Sequence, residues 1–220
     1  MHKVRVWDLP TRLFHWTLVL AVVGLVVTGN VGGNAMVWHF RLGHLVLALL
    51  VFRVLWGFVG GHWSRFARFV YSPRQVWAYL RGQSTPEHEV GHSPTGALSV
   101  FALIAVLGVQ VGTGLISDDE IAFVGPLARY VSTDFSLQAT WFHKEVSKAV
   151  LIALVVLHVL ALVYYRYAKK KALVPAMVTG DKMLQAPATP SQDGWPQRVL
   201  ALVLAAAASG VAWWVYQLGA

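Results

Sequence analysis

His143 and His158 stand fifteen residues apart in the apolar run HKEVSKAVLIALVVLHVLALVYY. An ionisable ring in such a stretch is costly to keep in hydrocarbon and marks function by default. In a regular helix fifteen residues advance ~22 Å and leave the second ring only ~60° from the azimuth of the first, so both face broadly the same way at two depths. Two more histidines, His15 and His44, fall in other apolar runs. Neutral imidazole in such places can ligate a metal, carry a proton or hydrogen-bond a neighbouring helix. For any one histidine alone, the last and blandest role has as strong a claim as ligation.

Positioning four such rings requires helices that cross a bilayer. Of 220 residues 56% are hydrophobic and 13% charged, with a mean hydropathy of +0.55, which places the chain among integral membrane proteins. Apolar runs of about twenty residues, long enough to span ~30 Å as helix, lie near 13–30, 39–60, 96–116, 141–165 and 198–218. Strand alternation is absent and Gly and Pro fall between the runs, so the expectation is an all-α integral membrane protein and not a barrel. The basic and apolar start of the chain resembles a secretory signal but lacks a small-x-small cleavage pattern, so it reads as a retained first helix that keeps His15. The connections 61–95, 117–140 and 166–197 are too short for a soluble domain with its own core.

With the N-terminus cytoplasmic, inner segments hold fourteen of the eighteen Lys and Arg, and outer segments hold only Arg41, Arg129, Lys144 and Lys148. This positive-inside bias predicts a multi-pass protein of the bacterial inner membrane with a periplasmic C-terminus. It also accounts for most of the net charge of +8, which therefore gives no reason to expect nucleic-acid binding. The juxtamembrane RYAKKK suits anionic lipid.

In this frame His15 and His158 share an inner level, and His44 and His143 share an outer one. A histidine pair at each of two depths in a dry helical bundle suits bis-imidazole ligation of haem iron. Zinc or copper would need more ligands at one depth. His39 lies ~140° around the helix from His44, so both cannot face one iron. His2 and His88 read as solvated, and His62 and His92 as interfacial. Near the inner ends, Arg53, His62 and Arg65 are candidates for contact with quinone or with haem propionates.

Six pieces then carry a resemblance: VWDLPTRLFHW, HFRLGHLVLALLVFRVLWGFVGGHWSRF, GHSPTGALSVFALIAVLGVQVGTGLISDDE, VGPLARYVS, the helix with paired histidines, and ALVPAMVTGDK. In this order the chain resembles the bacterial cytochrome b561 and nickel-iron hydrogenase b-type cytochrome subunit family over most of residues 5–185. The resemblance implies a four-helix di-haem b core, with two haem b held by His15 and His158 and by His44 and His143, that passes electrons between the quinone pool and a redox partner. The interval from His143 to His158 is one residue longer than the family's usual one. On this reading residues 1–185 form the di-haem membrane domain, 186–197 a Pro-rich linker and 198–220 an additional transmembrane helix without a ligand, suited to packing on the core, on a second protomer or on a partner subunit.

The chain has no Cys, which excludes disulfides, iron–sulfur clusters and covalently attached c-type haem within it. Dinucleotide and Walker motifs are missing. No acidic residue occupies the centre of a span, against an ion-relay transporter. Three classes remain: an electron conduit between quinone and an external c-type cytochrome or other redox subunit, a superoxide oxidase that reduces quinone, and a haem-free structural anchor. The outer segments carry a net charge of −1, a weak funnel for an anion. SDDE and GPLARYV there offer an acidic and apolar surface for a basic partner. The conduit is the reading these residues favour.

Overall fold

The computed structural model describes residues 1–219; Ala220, the last residue of the expected 198–220 segment, lies outside the described residues. Five helices are long and apolar enough to cross a membrane: Leu9–Val31, Gly33–Val59, Pro94–Leu115, Thr133–Tyr167 and Trp195–Gln217. The elements in order are β1 (His2–Arg5), α1 (Leu9–Val31), α2 (Met36–Val59), α3 (Pro73–Leu80), α4 (Glu87–Val90), α5 (Pro94–Leu115), α6 (Thr133–Trp141), a π-helical turn (Phe142–Ser147), α7 (Lys148–Tyr167), α8 (Val174–Thr179), β2 (Asp181–Leu184) and α9 (Trp195–Gln217). The all-α membrane class read from hydropathy is the class observed. Each expected span falls within one of these helices to within a residue or so at either end.

The contacts divide the chain into two compact units. The first contains Met1–Phe14, Arg53–Ala102 and Val156–Val203. Its polar frame begins where β1 pairs antiparallel with β2, with His2 opposite Leu184 and Arg5 opposite Asp181. Gly180 ends α8 in the left-handed region at φ +90°, a conformation glycine adopts without Cβ strain. Its carbonyl accepts from Val6 and Trp7 at 2.8 and 3.0 Å. Val4, Val6, Trp7, Trp63, Val90 and Ala176 pack behind this ribbon.

The Pro-rich segment after β2 is bound down along its length. Ser191 donates its hydroxyl to the Val6 carbonyl at 2.7 Å, Trp63 donates its indole N–H to the Thr189 carbonyl at 2.7 Å, and Asp193 accepts from the Leu9 amide at 3.1 Å. Asp8 caps α1 by accepting from the Thr11 amide at 2.8 Å. It also accepts from the Ser64 hydroxyl at 2.6 Å and the Trp56 indole at 3.1 Å. The residue is fully buried, so its removal strands the Thr11 amide and leaves Ser64 and Trp56 to share the Thr11 hydroxyl. Asp8→Ala is expected to cost on the order of 3 kcal/mol and Asp8→Asn clearly less, read as denaturant midpoints in detergent.

Lys182 gives a pH signature in the same unit. It donates to the Val90 carbonyl at 2.6 Å and the Glu89 carbonyl at 3.2 Å. Burial, helped by the Lys171 charge, lowers its pKa to about 8. Between that value and the ordinary lysine range the unfolded chain binds more protons than the folded one, so stability rises with pH across this window, by at most ~1.4 kcal/mol per pH unit. Thermal unfolding measured from pH 8 upward should show this rise, and Lys182→Met should flatten it.

The second unit contains His15–Phe52, Leu103–Val155 and the residues from Leu204 onward. Ala21, Val46, Leu50, Leu107 and Leu151 form its buried centre. In the connection after α5, Asp119 accepts from the amides of Ile121, Ala122 and Phe123 at 3.0, 2.9 and 2.9 Å. Asp118 is bridged to Val124.

Candidate functional site

The strongest constellation lies in the second unit, where α2 and the π-helical turn each supply a histidine. The rings of His39 and His143 stand 6.2 Å apart, edge to face at 78°. The Nδ1–H of His39 donates to the Leu25 carbonyl at 3.1 Å, and that of His143 to the Gln110 carbonyl at 2.9 Å. Tying Nδ1 to a carbonyl fixes the tautomer and leaves Nε2 with its lone pair, the form that ligates a metal. The Gln110 amide nitrogen lies 3.1 Å from His143 Nε2 and therefore donates to that lone pair.

Glycines make room for both rings. A Cβ at Gly29 of α1 would stand 3.0 Å from His39 Cε1, and one at Gly114 of α5 would stand 2.9 Å from His143 Cε1. The two rings are neighbours in the ligand tautomer, so these residues could hold a haem iron once the Gln110 amide released the His143 Nε2. Among the described residues no group of three or more His, Cys, Asp or Glu could hold a metal ion.

His44, the helix 2 ligand expected from sequence, makes a different contact. Its ring meets Tyr216 of α9 at 5.4 Å, edge to face at 85°, and its Nδ1–H donates to the Phe40 carbonyl one turn back at 2.8 Å. Its Nε2 is buried and has no hydrogen-bond partner. The ~140° between positions 39 and 44 on one helix separates the two environments.

In the first unit His158 has its Nδ1 3.5 Å from the Ser99 hydroxyl. His15, in the second unit, packs edge to face on Trp16 at 5.0 Å. Of the remaining candidates, Arg53 is 3% exposed and lies 4.6 Å over the Phe66 ring. Arg65 spends its Nε on the Gly60 carbonyl at 2.8 Å, closing the end of α2. His62 rests edge to face on Trp63 at 4.8 Å. Burial and the charges of Arg68 and Arg65 lower the His62 pKa, so its ring is neutral near pH 7.

The profile of the prokaryotic cytochrome b561 family matches residues 6–180. The chain belongs to that family. With cytochrome b561 membership come b-type haem, electron transport and a multi-pass membrane setting. The chain is 28% identical over 220 residues, covering 83% of its own length and 89% of the relative's, to the probable Ni/Fe-hydrogenase B-type cytochrome subunit of Azotobacter vinelandii. It is 29% identical over 155 residues to the probable Ni/Fe-hydrogenase 1 B-type cytochrome subunit of Escherichia coli strain K12, with 57% and 66% covered. The probable Ni/Fe-hydrogenase B-type cytochrome subunit of Rhodobacter capsulatus is 23% identical, with 82% and 81% covered. No solved structure matches the chain significantly. The family match ends before α9, so Tyr216 and its contact with His44 lie beyond this cytochrome b561 region.

Three parts of this arrangement were not singled out from sequence. His39 was set aside because it lies ~140° around the helix from His44, so that both cannot face one iron. Gln110 drew no attention in its apolar helix. The glycines Gly29 and Gly114 carried no signal until the rings beside them were placed.

Proposed function

We propose that this chain is a di-haem b electron conduit between membrane quinone and an external redox partner. The observation that carries the reading is the neighbouring pair of His39 and His143, in ligand tautomers, within a cytochrome b561 sequence. One haem is assigned to His143 with a histidine of α2, and the ring geometry favours His39 over His44 as that partner. The other is assigned to His15 and His158, from their shared inner level in the sequence.

Bound haem supplies one-electron exchange between ferric and ferrous iron. The protein's own work is to hold the His39 and His143 imidazoles by their Nδ1–H, to exclude water with the apolar faces of the helices, and to bring quinone to a proton source. His62, at the inner interface, is the proposed proton relay at a quinone site, its ring N–H passing a proton to quinone while the other ring nitrogen takes one up from water, with Arg65 steadying the end of α2 beside it. The names of the relatives point to the subunits of a Ni/Fe hydrogenase as the partner; a c-type cytochrome is the alternative. Without Cys the chain has no cluster of its own, so any iron–sulfur relay belongs to that partner.

The test is spectroscopic and kinetic. Purified protein should show a reduced-minus-oxidised b-type spectrum with about two haems per chain, reoxidation by quinone that slows in His62→Phe, and salt-sensitive exchange with the partner. Absence of any b-type signal after expression with ample haem overturns the reading in favour of a structural anchor. Reduction by superoxide near the diffusion limit, quenched by superoxide dismutase and needing no partner, replaces it with a superoxide:quinone oxidoreductase.

A further inference from the structure

The first unit encloses a polar pair that the ligand assignment does not use. Arg53 near the end of α2 and His92 just before α5 each keep a buried nitrogen, Nη1 and Nδ1, with no hydrogen-bond partner. Aromatic rings wall them in. His92 lies between Trp7 at 4.7 Å and Phe69 at 4.3 Å. Arg53 covers Phe66, and Phe66, Phe69 and Phe101 stand 5.3 to 5.8 Å from one another.

A buried guanidinium needs an anion as well as an acceptor, since an uncompensated charge away from water is far more costly than an unmet hydrogen bond. Asp8, held by the Thr11, Ser64 and Trp56 donors, offsets part of the Arg53 charge through space, Glu89 pairs with Lys171 at 2.7 Å, and no direct ion pair to Arg53 forms among the described residues. The environment of His92 is equally one-sided. Burial first, then the Arg53 and Lys182 charges, lower its pKa to about 3, so the ring is a neutral N–H donor across the physiological range.

We propose that Arg53 and His92 together bind a propionate carboxylate of the haem held at His158. A carboxylate answers both demands: one oxygen accepts from the guanidinium in a charge-assisted bond, the other accepts from the imidazole N–H, and its charge offsets that of Arg53. A quinone carbonyl would accept the same hydrogen bonds but bring no negative charge to the guanidinium. Arg53, His92 and His158 all belong to the first unit, which is why the haem at His158 is the one named. This inference rests on the di-haem reading, and haem content separates the two: protein without haem removes the reading, whereas protein with its haem can still fail the inference.

The experiment uses the haem-loaded protein, produced with haem labelled with 13C at the propionate carboxyls. Redox-difference infrared spectra should show a labelled carboxylate band at the position of a desolvated, ion-paired group. Arg53→Gln and His92→Phe should each move that band, and Arg53→Lys should restore part of it. Potentiometric titration should show one haem shifted to lower potential in Arg53→Gln and the other unchanged, because a cation near the iron favours the reduced state. Where Arg53→Gln fails to accumulate, the wild-type spectrum decides: all labelled carboxylates at the fully hydrated position overturn the proposal. So do variants that leave bands and potentials in place, or bands that follow labelled quinone instead of labelled haem.

Discussion

Alanine at His39 or at His143 is expected to lower haem content from about two per chain to about one, because each variant removes an axial ligand from the same iron and leaves its pocket open. His44→Ala is expected to keep both haems. The geometry sets this order. The His39 and His143 rings are 6.2 Å apart, each Nδ1–H is tied to a backbone carbonyl, and Gly29 and Gly114 leave the rings space that any side chain would fill. The His44 Nδ1–H is also tied to a carbonyl, that of Phe40, but its ring meets Tyr216 on α9. Pyridine haemochrome assay and low-temperature spectra of the three variants decide the matter. Loss of a haem in His44→Ala together with an unchanged His39→Ala would return the assignment to the sequence-based pairing of His44 with His143. Glycine variants extend the test. Gly114→Val places branched carbon against His143 and should mimic His143→Ala, while Gly43→Ala, which meets nothing within 4 Å, should be silent.

Hydropathy exposed the five spans because each long helix is apolar on nearly every face, and no tertiary knowledge is needed to see that. His143 was legible for a similar reason: an imidazole among Val, Leu and Ala stands out on cost alone. The choice within α2 was not legible. His39 and His44 are both compatible with ligation on type, depth and neighbours, and only the placement of His143 separates them. The bound-down course of Thr189, Ser191 and Asp193 was hidden too, because a Pro-rich composition states that a segment is not helical without stating what it touches. The buried pairing of Arg53 with His92 joins residues 39 positions apart, and neither carries a sign of the other. Asp8 was not singled out in the sequence, although it links the start of α1 to Trp56 and Ser64.

Removing one residue from the π-helical turn is expected to leave both haems in place, whereas removing one from the regular helix that follows is expected to abolish the haem at His143. Phe142–Ser147 is π-helical, and the Lys148 amide donates to the His143 carbonyl five residues back. Such a turn absorbs one extra residue. Leu151 of α7 lies in the buried centre with Ala21, Val46, Leu50 and Leu107, so its azimuth marks the inward face. In a regular helix, His143 would sit ~80° away from that azimuth, eight residues earlier. The π turn takes out ~100°, leaving the ring about 20° on the other side of Leu151, on the inward face where Gln110 and His39 meet it. The same correction gives the fifteen-residue interval to His158 the rotation of a fourteen-residue one, which is how this sequence carries an extra residue without misdirecting its ligand. Deleting Val146 converts the turn to ordinary α-helix and leaves His143 where it is; deleting Leu154 rotates everything before it by ~100° relative to the rest of α7. Haem stoichiometry and the b-type difference spectrum of the two deletions read the outcome. Should the Val146 deletion lose the haem while the Leu154 deletion retains it, the π turn is not what aims His143.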